Sequence, residues 1–583
     1  MIDNKRRTFL RTSSALAATG ALTACGAGSS PEELGNQFAS GVVFSEVPTP
    51  TGPGTGTAAT VPGARFTVMS TTGQSSVPFC LGFAFRRGDV ISGRTVVSDK
   101  GTLQMTVKNR WPDGSVKFAV LAGQAAVSGT AATTINVSSA AATTTTAAAI
   151  TTAALKTGGA VAEVTCGAFG TVLWENTAWD TPFQTWVSGP AMSSFIYRKR
   201  VGTDTHLVAW LEVRVWANGA IEMLPWIENG FLRVAAPKNK SATFTFKLNR
   251  TQRMSALIDL KHHTRTPLIK GAALSYWAAT DMGVIARQDS AYLQSTGLVP
   301  SYFGQLAAGA AVLNGLVTTY TPLQAGNFYY DEDNMASSGY QTPIGMLPQH
   351  DVAYLISDLP VTYGALVRNG FSAGRWAIHY RDETTNRPLR FSRYPTLNIG
   401  DNEGFKDVGG STNGQYTPTP TGGNPPGWDV AHSPSVGFLA YLATGRWYFM
   451  EEVQFATTAN YLGNGDNEFL RTGSKGLVQS AVGAWQTRSC AWDWRARVQA
   501  CASPRTTTPH CVPSLSPRSK RTSNTSTAAM WRRRTTRSAG SSQAKATTTR
   551  SASPPHGSRT SLPPPSAIRY RWACRSRRPP APS

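Results

Sequence analysis

Leu207-Val-Ala-Trp-Leu-Glu-Val-Arg-Val-Trp216, then Ala217-Asn-Gly219, then Ala220-Ile-Glu-Met-Leu-Pro-Trp226: this stretch decides the fold class of the first half of the chain. Two runs rich in Val, Leu and Trp flank an Asn-Gly pair, and Asn-Gly tolerates the positive φ that a tight hairpin turn demands. The segment reads as an antiparallel hairpin. Working outward, Phe66-Thr-Val-Met69, Leu103-Gln-Met-Thr-Val107, Val116-Lys-Phe-Ala-Val-Leu121 and Ala242-Thr-Phe-Thr-Phe-Lys-Leu248 alternate or run apolar, as short strands do. Trp111-Pro-Asp-Gly-Ser115 between two of them is turn chemistry. The Ala/Thr-rich stretch 123–161 reads as edge strands and loop. Residues 65–250 are therefore expected to form an antiparallel β domain, a barrel or a sandwich, after a Gly/Pro/Thr-rich linker over 26–64.

From about residue 253 the pattern is read as helical. Residues 350–359 and 361–373 form one expected helix pair, broken at Pro360. Residues 433–443 and 447–462 form a second, broken at Thr444-Gly445. Each pair has a His just ahead of its apolar run, His350 and His432. Helix hairpins repeated around a centre suggest an (α/α) toroid, so residues 251–497 are expected to be a toroid portion. Residues 401–428 form a long Gly/Pro/Thr/Asn-rich loop, a kind that is often functional.

The 583 residues are 41% hydrophobic and 15% charged, enough apolar material for a large core and too little charge for a coiled coil. The formal charge of +23 invites a nucleic-acid reading, yet residues 498–583 hold 16 Lys and Arg and no Asp or Glu. Residues 1–497 hold 40 basic against 33 acidic residues, an ordinary balance without an electrostatic footprint for nucleic acid. The tail 498–583 has three readings: an RNA-binding arm, a disordered basic tail, or a GC-rich gene read out of frame. The third fits best, because 65 of its 86 residues are Arg, Ser, Thr, Pro or Ala. The change is also abrupt, just after an amphipathic helix over about 475–500. On that reading the toroid is incomplete, its apolar faces are exposed, and the 583-residue chain is expected to be unstable or to aggregate.

Lys5-Arg-Arg-Thr-Phe-Leu-Arg11 has the pattern of a twin-arginine export signal, and Leu22-Thr-Ala-Cys25 that of a lipobox, so residues 1–25 are read as an address. The expectation is a periplasmic or cell-surface lipoprotein of a high-GC bacterium, touching membrane only through a lipid at Cys25. Cys80 and Cys166 are either one disulfide or two buried thiols. No Cys/His spacing suits zinc.

Trp111-Pro-Asp-Gly-Ser-Val-Lys-Phe118, preceded by short strands from Gly41, resembles the N-terminal RIFT-barrel domain of exo-rhamnogalacturonan lyase-like proteins, polysaccharide lyase family 26 and its YetA-like relatives. Trp376-Ala-Ile-His-Tyr-Arg-Asp382, Asp429-Val-Ala-His-Ser-Pro-Ser435 and Tyr441-Leu-Ala-Thr-Gly445 are similar to motifs of bacterial relatives. The resemblance covers roughly residues 40–497. It implies a RIFT-type β barrel ahead of an (α/α) barrel, and lyase activity on a pectin-like glycan.

Such a lyase removes the proton at C5 of a uronate and expels the group at C4. It needs a base, and a cation or amide donors to neutralise the adjacent carboxylate. His379, Tyr380 and Arg381 supply these types within three residues; with His432 and Tyr394 they are the expected catalytic residues. His350, Arg393, Asp429, Tyr340, Trp376 and Trp428 are the expected substrate-binding residues. Plainer readings stand beside these: Tyr380 as core, Arg381 and Asp382 as a surface pair, Asp429 as a helix cap. Asp331-Glu-Asp-Asn334 offers oxygens for Ca²⁺ but lacks the spacing and glycine of an EF-hand, so no cofactor is assigned. The expected partner is an acidic polysaccharide or oligosaccharide. A glycoside hydrolase using Asp333 and Asp429, or a non-catalytic glycan-binding envelope lipoprotein, are the alternatives.

Overall fold

The structure is a computed structural model that describes residues 51–52, 58–128, 130–144, 147–204, 206–232, 239–328, 342–389, 405–406, 412–413, 428, 430–462 and 487–502. All fall within one compact unit, Met1–Ser526. The export segment with Cys25, the Asp331–Asn334 run, Tyr340, Arg393, Tyr394, Asp429 and tail residues 503–583 lie outside the described residues.

The first half is sheet-rich and antiparallel, as expected. Strands 74–84, 116–127 and 103–110 pair in that order in one sheet, and strands 285–288, 59–69, 133–141 and 94–98 in a second. The two enclose an apolar core containing Phe66, Val68, Phe79, Leu81, Phe83, Leu121 and Ile135. The run Val116-Lys-Phe-Ala-Val-Leu121 is apolar on both sides because its sheet is buried on both. Ala119 and Leu121 enter this core, while Phe118 and Val120 enter the larger one behind it.

A third sheet holds the hairpin. Val208–Trp216 pairs with Ile221–Glu228, and Trp216 N–H donates to Ala220 O across a turn in which Gly219 takes φ +82°. Met192–Arg200 flanks the hairpin on one side and Arg265–Pro267 on the other. A fourth sheet orders strands 171–174, 162–166, 240–248 and 251–260.

Three expectations are corrected. The strands do not stop at residue 250: Thr251–Leu260, Arg265–Pro267, Tyr276–Trp277 and Ile285–Gln288 continue the sheets. Thr251–Leu260 is an edge strand whose outward side is polar apart from Leu257, 77% exposed, and that blurs its period-two signal. The helical half begins at Asp289, whose Oδ1 accepts from Tyr292 N–H at 2.9 Å and caps helix Ser290–Ser295. Second, Thr133–Ala141 is no edge strand, since it is paired on both sides. Third, strand 59–69 begins inside the expected linker. Cys80 and Cys166 are free thiols.

Five longer helices follow: α1 (Gln349–Ser357), α2 (Pro360–Ser372), α3 (Phe438–Thr444), α4 (Trp447–Leu462) and α5 (Thr487–Ala502). Pro360 opens α2, where its missing N–H costs nothing. Gly445 ends α3 in the left-handed conformation, φ +63°. Residues 433–437, expected as helix, are not. The helices lie directly on the sheets. A methyl group added at Gly82 would overlap the Leu442 carbonyl of α3, and Phe118 meets Tyr441 at 4.8 Å. Residues 447–460 of α4 are buried throughout, so this helix is enclosed on all sides. No helix among the described residues is long and apolar enough to cross a membrane.

Candidate functional site

Polar side chains gather in two neighbouring charge clusters and in one aromatic corner. The first is a charge cluster between the hairpin sheet and α4. Glu228 comes from the hairpin, Arg265 from the neighbouring strand, Glu451 and Glu452 from α4, and His379 and Arg381 from the segment after Trp376. All six are at most 1% exposed. Arg381 donates bidentately to Glu228, with Nη2 to Oε2 at 2.8 Å, and bidentately to Glu451 at 2.8 and 3.0 Å. Arg265 donates from Nε to Glu452 at 2.8 Å and from Nη1 to Glu451 at 3.1 Å. His379 places Nε2 2.8 Å from Glu452, and Nδ1 3.1 Å from the carbonyls of both His263 and Trp376. Both ring nitrogens thus face acceptors. Burial pushes the Glu452 carboxyl up, but Arg265 and His379 outweigh it and hold it down at about 2.

Three of the expected catalytic residues sit in or against this cluster. His379, Tyr380 and Arg381 are wholly buried. Being adjacent, they point apart: His379 to Glu452, Arg381 to Glu228 and Glu451, and Tyr380 onto the His263 ring at 4.0 Å. Every strong donor of Arg381 is spent on carboxylates or on the Asn386 carbonyl. None is left to hold a substrate.

A second charge cluster lies beside the first. Arg214 donates to Glu212 at 2.9 Å and to Thr444 O at 3.1 Å, and Arg446 pairs with Glu222. Near it Lys108 is buried with its ammonium 3.6 Å from the Trp186 ring centre, donating to the Trp186 carbonyl. Burial pulls its pKa down to about 7.

The other gathering is an aromatic corner. A cavity of about 190 Å³ is lined by Asn327, Thr342, Gln349 and His350 among others. His350 meets Phe328 at 5.0 Å, Phe328 meets Trp376 at 4.9 Å, and Trp376 meets Trp428 at 5.3 Å. Trp428, half-buried, donates from Nε1 to Asn460 at 2.8 Å, and Asn460 donates to Ser433 Oγ at 3.3 Å, next to His432. Three expected residues, His350, Trp376 and Trp428, therefore lie along one row, and His432 adjoins Ser433 at its end. Trp376 is fully buried and supports the row rather than facing solvent. His350 Nε2 lies 3.5 Å from Asp351 Oδ1. Burial drives the imidazole down to about 3, so it is neutral near pH 7, and pushes the Asp351 carboxyl well up.

Sequence reasoning missed Asp351, Asn460 and Arg495 as members of this corner. A His-Asp pair at a helix start was the available signal for Asp351. A larger cavity of about 760 Å³, lined by Ser76, Lys100, Gln124 and Pro190 among others, has Lys100 as its one titratable wall residue and holds none of the expected residues. Size does not mark the site; convergence of polar groups does. Among the described residues no group of three or more His, Cys, Asp or Glu is placed to hold a metal ion. The chain matches no protein-family model and no curated protein.

Proposed function

We propose that the protein is an exported carbohydrate-active protein, a polysaccharide lyase that cleaves an acidic, uronate-containing glycan by β-elimination. The observation that carries this reading is His350 at the rim of a cavity, at the end of the row Phe328, Trp376 and Trp428. The half-exposed Trp428 ring offers an apolar face to a sugar. A neutral imidazole takes the C5 proton, and a uronate carboxylate docked beside it raises its hold on that proton. In this reading His350 replaces His379 as base, and Asn327 and Gln349 supply amide donors. The sheet-rich first half and the α1–α2 and α3–α4 hairpins support a RIFT-type barrel followed by part of an (α/α) toroid. The twin arginines and Cys25 support export and lipid anchoring.

The test is ultraviolet absorbance of unsaturated uronate, measured on a panel of uronate polysaccharides with the full chain and with His350→Ala and His379→Gln. The expected result is product from the parent, at least a hundredfold loss in His350→Ala, and loss in His379→Gln only in proportion to unfolded protein. New reducing ends without unsaturated product would replace the lyase with a hydrolase. The locking of His379 and Arg381 favours one further reading, a glycan-binding lipoprotein without turnover. It would bind the same panel and release no product of either kind.

A further inference from the structure

Among the described residues, several guanidiniums buried in the helical half or its junction with the sheets have a carboxylate partner. Arg265, Arg381, Arg446 and Arg497 pair with Glu451 and Glu452, Glu228, Glu222 and Asp493 respectively. Two buried guanidiniums have none among the described residues: Arg368 on α2, which donates to the Ala272 carbonyl, and Arg495 on α5. Arg495 is 4% exposed, and its two outer nitrogens donate to main-chain carbonyls, Nη1 to Gly345 and Nη2 to Ser433 at 2.6 Å. Its Nε meets no acceptor among the described residues. Neither does Nε1 of Trp492, three residues earlier, on whose ring the guanidinium lies at 4.9 Å. Asp493, on the same helix, is taken by Arg497 at 2.6 Å.

A buried cation with no counter-ion is costly, and a buried donor with no acceptor adds to that cost. The two idle donors stand one helical turn apart and ask for the same thing: a group that accepts only and carries negative charge. A carboxylate does both and matches the guanidinium fork. The position agrees. Arg495 holds Ser433, whose hydroxyl accepts from Asn460, which in turn accepts from Trp428 at the open end of the aromatic row. Surface is near on the same helix stripe, since Ala491 and Val498 are exposed and Gly345 adjoins Met346, 52% exposed.

We propose that Arg495, with Trp492 Nε1 beside it, is the group that recognises the carboxylate of an anionic sugar at this corner. The inference rests on the reading that the site takes an acidic glycan, and deepens it: Arg495 is the cation that sequence reasoning sought in Arg381. Burial draws the Arg495 guanidinium down to about 9, which accords with a charge waiting for its partner.

The experiment measures binding of trigalacturonate and of its methyl ester to the full chain by tryptophan fluorescence. The ester keeps the sugar and removes the charge. The parent is expected to bind the acid at least tenfold more tightly than the ester. Arg495→Met is expected to bring that ratio below two while leaving ester binding in place. Arg495→Lys, which keeps the charge without the fork, should fall between, and it decides the matter if Arg495→Met does not fold. A structural clamp would lower binding of acid and ester together and leave the ratio unchanged. An unchanged ratio in the variants, or equal binding of acid and ester by the parent, overturns the proposal while the glycan reading stands. Binding of neither form takes down the acidic-glycan reading and this inference with it.

Discussion

The charge cluster under α4 and the corner around Arg495 are built from the same kinds of residue, at the same depth, yet they are opposites. In the cluster, three carboxylates face two guanidiniums and an imidazole, and each acid is bonded at least twice. In the corner, a guanidinium rests on carbonyls and an aromatic ring. A His beside an Arg is thus no sign of a site in itself. A closed set of partners has no free valence for a ligand, whereas an open set is incomplete until something fills it.

The sharpest way to break this contrast is to cut the closed cluster. Arg381→Ala leaves Glu228 and Glu451 buried with less positive charge and should cost about 3–5 kcal/mol in urea unfolding. A loss below ~1 kcal/mol would show that the cluster is not closed. Acid should open the same cluster. The Glu452 pKa is held down in the folded chain, so its stabilisation is full above about 4.5 and drains away as pH falls towards about 2. Unfolding midpoints measured down that range should drop, and Glu452→Gln should flatten the slope.

Lys108 sharpens the comparison from the other side, as a buried cation that donates to a carbonyl and lies against an indole. Its folded pKa lies below its ordinary 10.5, so the unfolded chain binds the extra proton between about 7 and 10.5. Stability should rise with pH across that window. Lys108→Met should remove the rise and stabilise the protein near neutrality by roughly 1–4 kcal/mol, read from urea midpoints.

Gly82→Ala should cost about 1–3 kcal/mol, because the added methyl meets the α3 backbone rather than a side chain that could turn aside. The smallest effect belongs to the open corner. Trp428→Phe removes one hydrogen bond, to Asn460, and should change stability by only about 1 kcal/mol. A much larger loss would mean that this corner too is a structural lock.

Local features were legible in the sequence. The Asn-Gly turn, the Pro360 break and the Gly445 stop are written in residues next to one another, and each sits where it was expected. The boundary at 250 was misplaced because Thr251-Gln-Arg opens an edge strand with three exposed polar residues. Residues 133–141 were placed among edge strands and loop because Ala, Ser and Thr give no apolar signal, though small side chains suit an inner strand. Of the expected site residues, His350, Trp376 and Trp428 lie along one aromatic row with Phe328. His379 and Arg381 misled because their true partners, Glu228, Glu451 and Glu452, lie 153, 70 and 73 positions away. Arg495 was hidden for another reason. The i,i+4 spacing of Asp493 and Arg497 on one helix assigns the Asp to Arg497, but nothing in the local sequence tells that Arg495, two residues from the Asp, is buried.

The enclosed helix α4 also sets a schedule. Arg265 leaves the ribosome 187 residues before its partner Glu452. At about 5–20 residues per second, the hairpin sheet waits roughly ten to forty seconds with Glu228 and Arg265 uncovered. Until α4 arrives, the Trp210 and Trp226 face of that sheet is open to water and to neighbouring chains. A chaperone that shields one exposed sheet face for that interval would therefore raise the yield of this protein more than slowing or speeding translation elsewhere.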